Sequence, residues 1–355
     1  MTALIPVAGR EFILATRSDQ EALLAGWGDV LNQFAIDRGV VTHISWTAYT
    51  RRSTMDEHLT WLDEHEAVDD ADAAIEGYRE LVNSAAVGTA EHEVIVSLTV
   101  ARDRLARQRG GVIESQTALG NALVDSTEAV LRSLRSAGLS AAEPLNTLQV
   151  RRLLRTCMEP DAATRALRGT LAERLALTVA VSPGPVALET TWSHLRIDNA
   201  LHRTYWVATW PRLGMPPSWL EPFLGAADGV RAMTVVFSPV SPYQSRRRIE
   251  RDLVKLESDA AMKEEKGRRV DARHRRATQS LLTREEELVA GFAEMGYVGL
   301  VTVSANTLED LQRSGDVVEQ HAREVGMELR SLVGRQDLAW AAALPFGLAP
   351  RNGIV

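Results

Sequence analysis

Residues 11–49 read EFILATRSDQ EALLAGWGDV LNQFAIDRGV VTHISWTAY, and this stretch carries a strand, helix, strand signature. Glu11–Thr16 is short and apolar, as a strand should be. Ser18 stands three residues before Glu21, the spacing of a capping box. Leu23, Trp27, Val30 and Phe34 then recur at helical spacing, and Leu24 and Leu31 widen the stripe. Gly39 supplies the stop, and Val41–Tyr49 alternates in part and reads as the partner strand.

The end of the chain repeats this design. Tyr297–Ser304 reads as a strand. Thr307 opens a helix carrying Leu308, Leu311, Val318 and Val325, Gly326 closes it, and Met327–Val333 is the last strand. An internal duplication explains the match, and so does chance recurrence of a common unit. Between the two lie a strand at Glu93–Val100 and a long helix over Val112–Ala137, with Leu119, Leu123, Val130 and Leu134 facing inward. Pro144 opens a short helical segment. A hairpin pairs His194–Ile197 with Thr204–Trp210 around Asp198-Asn199, Pro217 starts a short helix over Ser218–Leu224, and Ala232–Phe237 is a buried strand. Thr283 and Glu286 mark a helix start before Tyr297. The expected class is α+β: two helix-covered mixed sheets of ferredoxin-like style. The division is 1–158, a junction at 159–185 rich in Pro and Gly with some helix from Ala163 to Leu175, and 186–355.

Composition narrows the chemistry. The chain has 355 residues with 40 Lys+Arg against 47 Asp+Glu, a formal charge of -7. That acidic balance argues against a protein devoted to coating nucleic acid. The single cysteine, Cys157, leaves no disulfide framework and no multi-cysteine zinc site; it reads as a packed thiol. Met1–Gly9 does not resemble a secretion signal, and no apolar run reaches a membrane-spanning length, so a cytoplasmic setting is expected. Only Lys255, Lys263 and Lys266 are lysines, and none follows a glycine. A phosphate loop needs that pair, because its backbone cradles phosphate while the ammonium reaches the oxygens. No P-loop motor domain is therefore expected, nor any cofactor, metal or catalytic residue. His58 and His65, seven apart on an acidic helix, are about 10 Å from each other along the axis, too far to share one zinc ion.

Arg246–Arg276 holds 12 Lys+Arg and 7 Asp+Glu, a local net of +5. Ile249, Leu253, Leu256 and Ala260 form a stripe that should pack on the sheet. The following stretch, with Arg268, Arg269, Arg273, Arg275 and Arg276, reads either as a solvated helix or as a contact for an acidic partner, lipid or nucleic acid. Trp192, Trp206, Trp210 and Trp219 lie close together in the sequence; core packing is the expected use and base stacking the alternative.

Some of these residues also carry a family resemblance. They are Thr191-Trp192, Arg196, Asp198, His202, Tyr205, Val207, Trp210-Pro211-Arg212, Trp219-Leu220 and Ser238-Pro239-Val240. Glu285-Glu286-Glu287, Leu329, Gln336-Asp337-Leu338-Ala339 and Leu344-Pro345-Phe346-Gly347 extend it, as do Gly26-Trp27-Gly28-Asp29 and Pro144-Leu145-Asn146. Together they resemble the actinobacterial conjugation-associated proteins, whose soluble part is similar to the amino-terminal domain of type IV secretion ATPases. The resemblance implies a fold and a docking role at the cytoplasmic face of the membrane, not an activity. Its implied partners are the transfer ATPase and other proteins of the apparatus. Members usually carry a pair of membrane helices ahead of the soluble part; attachment here would come through a missing segment or a partner. Nucleic-acid contact through Arg268–Arg276 is the alternative reading, and an enzyme of unrecognised type the third.

Overall fold

The computed structural model describes residues 1–8, 12, 14–34, 39–52, 58–59, 62–63, 72–86, 90–110, 115–160, 184–211, 215–225, 229–265, 272–292 and 294–348. The fold is mixed α/β, with ten strands and ten helices among these residues. The strands are β1 (Thr2–Ala8), β2 (Val41–Arg52), β3 (Ala90–Val100), β4 (Ser140–Ala141), β5 (Leu188–Thr190), β6 (Leu195–Ile197), β7 (Ala200–Thr209), β8 (Val230–Pro239), β9 (Met295–Ala305) and β10 (Glu328–Ser331). The helices are α1 (Arg17–Phe34), α2 (Asp72–Ala86), α3 (Arg102–Arg109), α4 (Gln116–Ser136), α5 (Thr147–Met158), α6 (Glu221–Gly225), α7 (Pro242–Glu265), α8 (Ala272–Val289), α9 (Leu308–Glu324) and α10 (Gln336–Ala343).

One sheet holds all ten strands, in the order β4-β1-β3-β2-β8-β9-β7-β6-β5, with β10 also on β7. The expectation of two mixed sheets is corrected: the sheet is single, and every ladder in it is antiparallel. The cause is β2. It pairs with β3 on one side and with β8 on the other, Ile44–Thr50 facing Arg231–Phe237. A strand bonded on both edges joins its two flanks into one ladder.

The two halves share one plan. The first runs β4-β1-β3-β2 and the second, read from its own outer edge, β10-β7-β9-β8. In each, a crossover links the first strand to the second, a helical insertion separates the second from the third, and one long helix leads to the fourth. The two second strands, β2 and β8, meet antiparallel at the centre. The opening and closing units compared in the sequence are not equivalent in this plan: β1-α1-β2 corresponds to β7-α6-β8, and β9-α9-β10 to β3-α4-β4.

Several local expectations move. The strand expected at 11–16 is corrected on its described residues: Phe12 and Leu14–Thr16 form the turn into α1, and Leu14 is 78% exposed. The strand slot belongs to Thr2–Ala8, whose Pro6 costs no ladder bond with β3. The Pro6 carbonyl faces the other side, where it accepts from Ala142 N, so the missing donor lies toward the two-residue β4. The cap of α1 is Thr16, whose Oγ1 accepts from Asp19 N at 3.3 Å, rather than Ser18. Thr283 sits inside α8 and starts nothing. Asn146 and Gln149 form a capping box on α5 that the sequence reading passed over. The helix expected within 163–175 lies outside the described residues.

Alternation sorts the sheet into two faces. Ile44, Val96 and Leu98 pack under α1 and α4; Val235, Val301 and Val303 belong to the core under α9, and Trp46 joins both cores. The opposite face is covered by α5 and α10, with Cys157, Leu195, Trp340 and Leu344 at its centre. Leu119, Val130 and Leu134 are buried on α4 as expected, and Thr307 caps α9 through Asp310 N.

Candidate interaction groove

The clearest open feature lies on the face of α1 and α9, over the central strands. Gly299 of β9 allows it: a Cβ there would stand 2.4 Å from Cζ2 of Trp210, so only glycine lets that indole lie on the sheet. Trp210 then touches Tyr297 edge-on at 5.5 Å between centroids and Trp219 at 6.4 Å. Tyr297 meets Phe237 at 6.3 Å, and Phe237 meets Trp27 of α1 at 6.0 Å. Five rings thus run in a row from the first half to the second, each pair within the range of favourable aromatic contact.

Four of these rings, those of Trp210, Trp219, Phe237 and Tyr297, line a groove of about 570 Å³. Arg17, Glu21 and Leu24 of α1 form one wall; Met215, Pro216, Pro217 and Leu220 form the other. Tyr297 is 53% exposed, Leu24 47% and Met215 44%. A run of half-exposed large apolar groups on one surface marks a binding site more often than isolated ones do. Core packing, the expected use of the four tryptophans, holds for three: Trp206, Trp210 and Trp219 are half-buried and pack against buried clusters. It is corrected for Trp192, which is 76% exposed and leans on Gly334.

The arginines singled out in the sequence belong to another region. Arg268 and Arg269 lie outside the described residues, as does the side chain of Arg273; Arg275 and Arg276 are exposed in the first turn of α8. The stripe Ile249–Ala260 divides: Ile249 is buried near the start of α7, while α7 and α8 then pack on each other as a helical hairpin. Arg275 and Arg276, the described members of this set, do not line the groove.

Two polar sites with low solvent exposure lie away from the groove. Cys157 Sγ lies 2.8 Å from Tyr49 Oη, and burial pushes its thiol up to about 12, far from a nucleophile. Asp198, at φ 51, occupies the first turn position between β6 and β7. It holds that conformation by accepting from Val186 N and Ala187 N at 2.8 Å and from Arg155 at 2.6 Å. These bonds to the charged carboxylate outweigh burial and lower its pKa. Glu159 pairs with the same guanidinium and accepts from Asn199 N. The group is a clasp between α5 and the hairpin. Among the described residues, no three His, Cys, Asp or Glu side chains gather as a metal site, and no helix is long and apolar enough to cross a membrane.

Comparison with protein-family models and with curated proteins finds no match. The residues that carry the sequence resemblance have structural posts instead. Asp198 anchors the clasp, and Gln336 accepts from Thr204 N at 2.8 Å. Gly347 sits where a Cβ would collide with Thr99. Trp210, Pro211, Trp219 and Leu220 line the groove. The sequence signals for the groove are the tryptophans, for which core packing is the expected use, and the prolines around them, of which Pro217 reads as a helix start.

Proposed function

We propose that the protein is a non-catalytic scaffold component of a conjugative, type IV-like secretion apparatus. It works at the cytoplasmic face of the membrane, attached through a partner or a further segment, and contacts the transfer ATPase. The observation that carries the interaction role is the open aromatic groove across the two halves. The family resemblance of the sequence supplies the apparatus. We read each half as a split βαβ unit of ferredoxin-like style, supported by the shared order 4-1-3-2 of its strands.

The test is a pull-down with the tagged chain from cells that carry the apparatus. The transfer ATPase is expected to co-purify, and Tyr297→Asp is expected to weaken recovery. ATP hydrolysis that follows the chain through successive columns would overturn the non-catalytic role.

One observation favours a second reading, a nucleic-acid contact. Arg275 and Arg276 are exposed near the start of α8, where the helix dipole disfavours cations. An anionic partner would relieve that repulsion. Reversing these charges should abolish salt-sensitive DNA retention if this reading holds; unchanged retention rejects it.

A further inference from the structure

The groove has a counterpart in the first half, and there it is filled. Between β1 and β2 the chain spends 32 residues, 9–40, and builds α1 of 18 residues. Between β7 and β8 it spends only 20, 210–229, and builds α6 of five. At 1.5 Å per residue, the second crossover lacks about 20 Å of helix. In the first half, Val30 and Phe34 of α1 are buried over β2 and β3 with Trp27 and Leu31 beside them. In the second half the equivalent strands are β8 and β9, and their residues Val235, Phe237 and Tyr297 line the groove. Among the described lining residues the charged pair Arg17 and Glu21 bond to each other at 3.0 Å, so these residues present no net charge.

We propose that the groove is the vacated site of a crossover helix and receives an amphipathic helix of a partner protein. That helix lays apolar residues at i, i+3/i+4 and i+7 onto Trp210, Phe237 and Tyr297, with α1 on one side and Met215–Leu220 on the other. The occupant is a helix because the same layer of the first half is completed by one. Its buried face is apolar because the described lining charges neutralise each other. The mode is helix in groove. This deepens the scaffold reading, and it holds for a partner from any assembly.

The test uses the full chain and a synthetic 18-residue peptide with the sequence of α1 and Trp27→Phe, so that tryptophan emission reports on the protein alone. A proline-rich peptide and a scrambled peptide of equal length are controls. The α1 peptide is expected to shift the emission saturably and to gain helical circular dichroism on binding. Tyr297→Asp and Met215→Asp, both at half-exposed positions that tolerate a polar group, should each weaken it at least tenfold. No saturable binding, unchanged binding to both variants, or equal binding of a control peptide would overturn the proposal. Because no secretion protein enters this test, peptide binding without recovery of the transfer ATPase would reject the apparatus while keeping the helix site.

Discussion

His202 is fully buried on β7, yet it keeps both ring nitrogens bonded. Nε2 donates to Met158 O at 2.9 Å, which leaves Nδ1 to accept from Ser304 Oγ at 2.8 Å. Burial lowers its pKa to about 4, against the smaller raising effects of Met158 O and Glu159. The unfolded chain therefore binds this proton more readily, near pH 6.5. The stabilisation is complete above pH 6.5 and is lost as pH falls toward 4, with a ceiling of ~3 kcal/mol. Urea midpoints measured across that window should fall more steeply for the native chain than for His202→Gln. Equal slopes would show that the imidazole does not stay neutral in the fold. Cys157 gives an independent residue-level check. With its thiol near 12 and the side chain buried, an aromatic disulfide reagent at pH 8 should label it at least about a thousandfold more slowly in the native state than in urea. Rapid native labelling would mean that α5 lifts away from Tyr49.

At the scale of elements, β9 and the crossover before β8 decide whether the groove exists. Gly299→Val should push Trp210 off the sheet and cost about 1–3 kcal/mol by overpacking. A red shift of tryptophan emission together with a lower melting temperature would report it; an unchanged spectrum would mean the indole does not rest on β9. Thr307→Ala is a control away from the groove. It removes the bond to Asp310 N at 3.1 Å and should cost about 1 kcal/mol without any spectral shift. The same elements explain what could be read in advance. Helices α4 and α9 were visible because apolar residues recur at 3.6 and glycines close them: Gly138 and Gly326 both have positive φ. The groove was not, because Trp210 and Trp219 look the same in sequence whether a helix covers them or leaves them open. What distinguishes the cases is crossover length, and Pro211, Pro216, Pro217 and Pro222 within 210–229 were the available sign that no long helix fits there. Residues 11–16 misled for a related reason. Apolar character alone cannot tell a strand from a turn feeding a cap.

Over the whole molecule, the deciding contact joins residues far apart in sequence. Thr47 Oγ1 and Thr234 Oγ1 lie 3.0 Å from each other across 187 residues, both buried where β2 meets β8. Nothing local specifies that pairing, so a reading by segments yields two sheets where the chain makes one. The C-terminal strap reinforces the join on the face of α5 and α10. Gln336 holds Thr204 in β7, Ala343 O accepts from Thr234 at 2.5 Å, and Phe346 O accepts from Thr2 in β1 at 3.2 Å. The halves should therefore unfold together despite their separate cores. Thr234→Val tests this, since it strips the hydroxyl shared by β2, β8 and the strap while keeping the volume close. Loss of those bonds should cost about 1–3 kcal/mol. In hydrogen exchange read by mass spectrometry, amides of β3 and β9 should lose protection by the same amount, because global opening exposes both. If only β9 loses protection and β3 holds, the shared sheet does not couple the halves, and the continuous ladder is a seam between two independently stable units.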